Sequence, residues 1–190
     1  MRIMLIDEDP RKSQMLIEAL HDAGHDIAAR VDPDENLYER VRELQPDVII
    51  IDTDSPQRDT LEHLCIISRD QPRPIVMFTD DGDAEKIRSA VKAGVSAYVV
   101  DGLRKDRIKS IIDVAVARFE QYQAVKRDLE KVTETLAERK QIERAKGVVM
   151  KQKKCGEDEA YRTLRKMAMD RNMRLAEVAK IVNVAADILA

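Results

Sequence analysis

From residue 2 to about residue 118, short apolar runs alternate with stretches whose apolar positions recur every three to four residues. "RIMLI", "DIAARV", "DVIIID", "PIVMFT" and "AYVV" read as five strands. The segments between and after them, near 10–24, 35–44, 58–70, 83–93 and from 104 onward, read as amphipathic helices. Runs as rich in β-branched residues as "DVIIID" suit a parallel sheet buried on both faces. Strict βα alternation with short connections implies right-handed crossovers and a doubly wound (βα)5 fold of the α/β class. Gly24 and Gly94 stand where helix-ending glycines belong. Chemistry in such sheets collects at the carboxyl ends of the strands.

After residue 104 the pattern changes. Arg104 to Ile142 contains neither Gly nor Pro, and Tyr122, Val125, Leu129, Val132 and Leu136 recur at 3-4-3-4 spacing between charged residues. That spacing predicts a long helix with a coiled-coil seam, hence a homodimer; the alternative is one amphipathic helix lying on its own domain. Three more helical stretches follow: "LAERKQIERAKGVVMKQK", a second that opens on the acids Glu157, Asp158 and Glu159, and the mostly apolar "RLAEVAKIVNVAADIL". The expected organisation is a domain over 1–118, a coiled-coil linker over 119–136 and a small three-helix domain over 137–190.

Composition narrows the function. With 190 residues, 44% of them hydrophobic, the chain can fill two cores, but two Phe, four Tyr and no Trp leave little for an aromatic-lined pocket. Cys65 and Cys155 lack paired spacing, the start has no leader pattern and no apolar run approaches bilayer length, so a cytoplasmic location without membrane insertion is expected. The net charge of −3 is unevenly divided. Residues 137–190 hold 13 of the 33 basic and 8 of the 36 acidic residues, leaving that part +5 and residues 1–136 −8. The tail is the candidate for a polyanionic partner.

Asp7, Glu8 and Asp9 follow the first predicted strand, Asp52 and Asp54 the third and Thr79 the fourth. Carboxylates gathered at one sheet edge suit a hard cation such as Mg2+, and an aspartate beside it can accept a phosphoryl group. "IMLIDEDP", "PDVIIIDTDSP", "PIVMFTD" and "AGVSAYVV" resemble the receiver domain of response regulators over residues 1–118. The resemblance implies Asp52 as phosphoacceptor, Asp7, Glu8 and Asp52 around Mg2+, and Thr79 and Tyr98 as switch residues. One position departs: where receivers carry a lysine before a proline, this chain has Asp101 and Gly102. A unit charge about 4 Å away is worth on the order of 4 kcal/mol at an effective dielectric of 20, so reversing its sign penalises a phosphorylated state. Asp101 could instead turn outward and cap the next helix. A pseudo-receiver that takes its signal through protein contact is expected.

The tail carries Arg144, Lys146, Lys151, Lys153 and Lys154, with Arg162 and Arg165 beside Tyr161 on the next helix. Basic residues next to an aromatic suit looped or single-stranded nucleic acid, although a solvated helix face is an equal alternative on composition alone. Ala145, Lys146, Gly147 and Met150, followed by Glu159, Ala160, Tyr161, Leu164, Arg165, Ala168 and Met169, resemble the ANTAR domain of transcription antiterminators. The resemblance implies a nonenzymatic protein that binds tandem leader-RNA hairpins with six-nucleotide loops. The architecture and "VVDGL" are similar to the NasT type, antiterminators of nitrate and nitrite assimilation genes restrained by a nitrate-sensing, NasS-like partner protein.

Two other readings compete: a phosphorylation-activated DNA-binding response regulator, using a helix-turn-helix within "RLAEVAKIVNVAADIL", and a helical adaptor that binds only proteins. Against the first, "AADILA" lacks side chains that read base edges. Gly147, costing about 1 kcal/mol in a helix relative to Ala, implies close approach of RNA or helix backbone, or tight packing between tail helices. His21 and His25 receive no role, since no third ligand stands nearby.

Overall fold

The computed structural model describes residues 1–8, 14–55, 57–100 and 104–188. The chain separates into two compact units, Met1–Gln123 and Ala124–Ala190. In the first, β1 (Arg2–Asp7), α1 (Gln14–Asp22), β2 (Asp26–Val31), α2 (Leu37–Leu44), β3 (Val48–Thr53), α3 (Arg58–Asp70), β4 (Ile75–Thr79), α4 (Ala84–Lys92) and β5 (Ala97–Val100) alternate as expected. The strands form one parallel sheet in the order β2-β1-β3-β4-β5.

Side chains that alternate across each strand sort the core into two layers. Met4, Ile6, Ile49, Ile51, Ile75 and Met77 pack with Val41, Leu64, Ile67 and Ala90 of α2, α3 and α4. Ile3, Leu5, Val48, Ile50, Val76 and Phe78 face Leu16 and Leu20 of α1 and Ile108, Ile112 and Ala115 of the helix after β5. Each such side chain, fully buried, contributes roughly 1.5–3 kcal/mol of hydrophobic transfer energy. Gly94 ends the turn after α4 at φ +101°, where a Cβ would lie 2.2 Å from Ser68 Oγ, so only glycine serves there.

The helix after β5, α5 (Lys105–Lys153), runs 49 residues without a break. The expected linker helix and first tail helix are thus one continuous helix. In the second unit, α6 (Glu157–Asp170) starts after Gly156 with the three acids in its first turn, where they offset the positive end of the helix dipole. It is followed by α7 (Leu175–Ile188). Ala145, Val149, Ala160, Leu164, Ala168, Val178 and Ala179 form the buried core, mostly small residues that let three helices approach closely. Asn183 of α7, 3% exposed, donates to the Gln141 backbone carbonyl at 3.0 Å and to its Oε1 at 2.8 Å, fixing α7 on α5. Because α7 is one helix through Asn183, among the described residues no turn separates off the recognition helix that the helix-turn-helix alternative requires.

Candidate functional site

β1 and β3 pair in register, so Asp7 stands opposite Asp52, and Thr53 of β3 opposite Thr79 of β4. By strand parity Asp7 and Asp52 share the face of Leu5 and Ile50, whereas Thr53 and Thr79 share the opposite one. Glu8 follows that division: it is exposed and accepts from the Thr53 hydroxyl at 2.6 Å. The Asp7 carboxylate, 6% exposed, is held by Arg30 of β2, whose Nε and Nη2 donate to Oδ2 at 3.0 and 2.7 Å, while Nη2 also reaches Oδ1 at 3.0 Å. Asp52, partly buried, and exposed Asp54 also have interaction partners.

A second clasp joins the loops after β3 and β4. Lys86, in the first turn of α4, places its ammonium 2.5 Å from Asp81 Oδ2 and 2.7 Å from Ser55 Oγ, and the Ser55 hydroxyl donates to the same carboxylate at 2.8 Å. Lys86, then the Asp83 backbone N–H, then Ser55 hold the Asp81 carboxyl at a pKa of about 2. The Tyr98 hydroxyl donates to the Asp81 backbone carbonyl at 2.8 Å, and the Thr79 hydroxyl to the Asp54 carbonyl at 2.9 Å. Of the expected switch residues Thr79, Tyr98 and Asp101, the first two therefore have internal partners. Asp101 lies outside the described residues, as does Asp9.

These residues do not form the expected magnesium site as they stand. Mg2+ requires near-octahedral oxygen ligation, but both Asp7 oxygens already accept from a guanidinium and Glu8 turns to Thr53. Among the described residues no three His, Cys, Asp or Glu side chains converge on a common point. Sequence reasoning missed Arg30, Lys86 and Asp81. Lys86 was signalled by its position in the first turn after the fourth strand, Arg30 only by a charge inside a strand.

The basic surface is different in kind. Ala160, Leu164 and Ala168 turn one face of α6 inward, leaving Tyr161, Arg162 and Arg165 exposed. Tyr161, 41% exposed, and Arg165 are neighbours at i and i+4, and Arg162 lies within a turn of Arg165. Lys151 and Lys153 close α5 and Lys154 follows at φ +52°; all three are exposed. Among the described residues none of these five cations makes an ion pair or side-chain hydrogen bond.

Two expected contacts belong elsewhere. Lys146 retains only 10% of its side-chain exposure and pairs with Glu143 at 2.8 Å and Glu157 at 2.6 Å, which hold its ammonium above the ordinary lysine range. It joins the start of α6 to α5. Arg144 is exposed but paired with Asp187 of α7. Gly147 does not serve packing within the chain, since a Cβ there would meet nothing within 4 Å.

On α5 the predicted seam is bare. Val125, Leu129, Val132 and Leu136 are 56–64% exposed, and Tyr122 is 67% exposed. At 100° per residue, Leu136 and the core residue Ala145 lie about half a turn apart around the helix. The apolar stripe and the core of the second unit occupy opposite sides of one rod.

Residues 3–113 match the response regulator receiver domain model, and residues 130–182 match that of the ANTAR domain. Over 182 residues the chain is 30% identical to the transcriptional regulatory protein PdtaR of Mycobacterium tuberculosis, covering 95% of this chain and 89% of that protein. It is 30% identical over 118 residues to the chemotaxis protein CheY of Halobacterium salinarum, covering 61% of this chain and 98% of that one. A signal receiver domain of a putative Luxo repressor protein from Vibrio parahaemolyticus has the same fold, at a TM-score of 0.55 and 18% identity over 65% of this chain and 95% of that chain.

Proposed function

Because the chain belongs to the response regulator receiver family and carries an ANTAR domain after its receiver, we propose that it is a transcription antitermination regulator that grips leader RNA through the basic surface of α5 and α6. The observation that carries this reading is the set of exposed cations Lys151, Lys153, Lys154, Arg162 and Arg165, unpaired among the described residues, around exposed Tyr161. Phosphates can be neutralised there while an unstacked loop base lies on the phenol ring. Tandem hairpins with six-nucleotide loops are the ligand this reading assigns. Residues 1–118 act as the receiver, 119–136 as the linker and 137–190 as the RNA-binding domain.

The bare 3-4-3-4 stripe supports a homodimer joined along α5. In this reading the signal reaches the receiver through a partner protein of the nitrate-sensing type, the controlled genes serve nitrate and nitrite assimilation, and the protein works in the cytoplasm. No helix among the described residues is long and apolar enough to cross a membrane. Phosphate at Asp52 is not the trigger, because Asp101 stands where receivers place a lysine and Thr79 and Tyr98 are already engaged. Magnesium enters this reading only as a competitor for Asp7.

The test is a gel shift of the full chain with a two-hairpin RNA, the same RNA with altered loops, and duplex DNA, alongside sedimentation of the protein. Tight binding to the intact RNA alone, by a species of dimer mass, is expected. Equal affinity for duplex DNA would overturn the RNA reading, and a monomer the dimer. Stoichiometric acyl phosphate at Asp52 from a small-molecule phosphodonor would overturn the contact-driven signal.

A further inference from the structure

We infer that Arg30 is the resident cation of the acidic sheet edge: its guanidinium occupies the Asp7 carboxylate that a divalent ion would require, so metal and arginine exclude each other there. The placement begins in strand register. β1 and β2 pair in parallel, and an irregularity between Ile3 and Met4 shifts the offset by one residue, from Ile3 opposite Ile27 to Met4 opposite Ala29. A one-residue slip exchanges the two faces of a strand. Beyond the slip Arg30 pairs with Leu5 and therefore shares the face of Asp7, two residues on; without it Arg30 would stand on the other side of the sheet.

The contact has the fork geometry in which guanidinium and carboxylate match. Three donor–acceptor distances fall between 2.7 and 3.0 Å and engage both carboxylate oxygens. The Asp7 side chain is 6% exposed and that of Arg30 36%, so the pair is shut off from water on the carboxylate side and reaches water on the other. A guanidinium does not deprotonate under physiological conditions, so the clamp is permanent in charge and opens only by side-chain movement. A divalent ion cannot share the carboxylate, because like charges a few ångströms apart repel strongly in a partly buried setting. Asp7 therefore has a counter-charge built into β2, and metal gains access to that carboxylate only when the Arg30–Asp7 pair parts. The expected magnesium site and the structure disagree for this reason, which is independent of the RNA reading.

The experiment titrates the full chain with Mn2+, following free Mn2+ by electron paramagnetic resonance, and repeats the titration for Arg30→Gln and for Arg30→Gln with Asp7→Asn. Arg30→Gln should bind Mn2+ at least about tenfold more tightly than the parent chain, and the added Asp7→Asn should abolish the gain. In thermal melts, excess Mg2+ should raise the melting temperature of Arg30→Gln and leave that of the parent unchanged. Arg30→Lys keeps the charge without the fork, so an affinity between the two is expected, and it carries the test if Arg30→Gln does not fold. Equal Mn2+ affinity in the parent and the Arg30 variants, whether tight or absent, would overturn the inference.

Discussion

The two polar regions of this protein treat charge in opposite ways. At the sheet edge each described cation has an anion: Arg30 holds Asp7, and Lys86 holds Asp81. On α6 and the end of α5, Lys151, Lys153, Lys154, Arg162, Arg165 and Lys166 stand in solvent with no partner among the described residues. Charges that satisfy each other fix loops and strands in place, whereas charges left open add their full field to a polyanion's approach. Lys146 shows the first kind of charge inside the basic region itself, since two glutamates pair with it and tie the start of α6 to α5.

The sharpest way to break this contrast is to remove the open cations together. Alanine at Lys151, Lys153, Lys154, Arg162 and Arg165 should lower hairpin affinity by about a hundredfold or more at moderate salt. It should also flatten the plot of log affinity against log salt by roughly 0.7 for each phosphate no longer neutralised, while thermal stability hardly changes. Gel shifts across a salt series, paired with melts, check both halves, and an unchanged salt slope would erase the distinction between the regions.

A middle-sized effect should come from the paired region. Asp7→Asn removes the carboxylate charge that Arg30 holds and should cost roughly 1–3 kcal/mol of stability, with no change in RNA affinity of the folded protein. Denaturant unfolding measures the first quantity and a gel shift the second. A variant as stable as the parent would place Arg30–Asp7 among the idle surface pairs.

The smallest effect is the acid titration of the Asp81 clasp. Its folded pKa of about 2 lies below the ordinary 3.8, so the clasp stabilises fully above pH 4 and its contribution fades as pH falls toward 2. The melting temperatures of the parent and Asp81→Asn should keep a constant gap from pH 8 to 5 and converge below about pH 4. A gap that widens in acid would contradict the assignment.

Much of this was legible from the chain. "DVIIID" announced a strand buried on both sides, and it sits third in sequence and central in the sheet. The segment 58–70 is α3 to the residue, because its periodic apolar positions begin and end between polar turns. Individual side-chain pairings were not legible. Arg30 reaches Asp7 only because of a one-residue slip between two strands, and no local pattern records that offset. Lys146 looked like one more cation on a basic helix, since its burial depends on how the start of α6 lies across α5. Spacing within one element was readable; pairing between elements required the fold.

The half-turn between the stripe on α5 and the core of the second unit would, in the proposed dimer, make phase along that helix a functional quantity. In the proposed dimer the two RNA-gripping modules would hang on the outer flanks of the paired rods, back to back, so that one transcript must straddle them. Inserting a single residue after Leu136 would swing each module by about 100° around the axis, whereas inserting seven would return it to within about 20° of its starting azimuth at a greater reach.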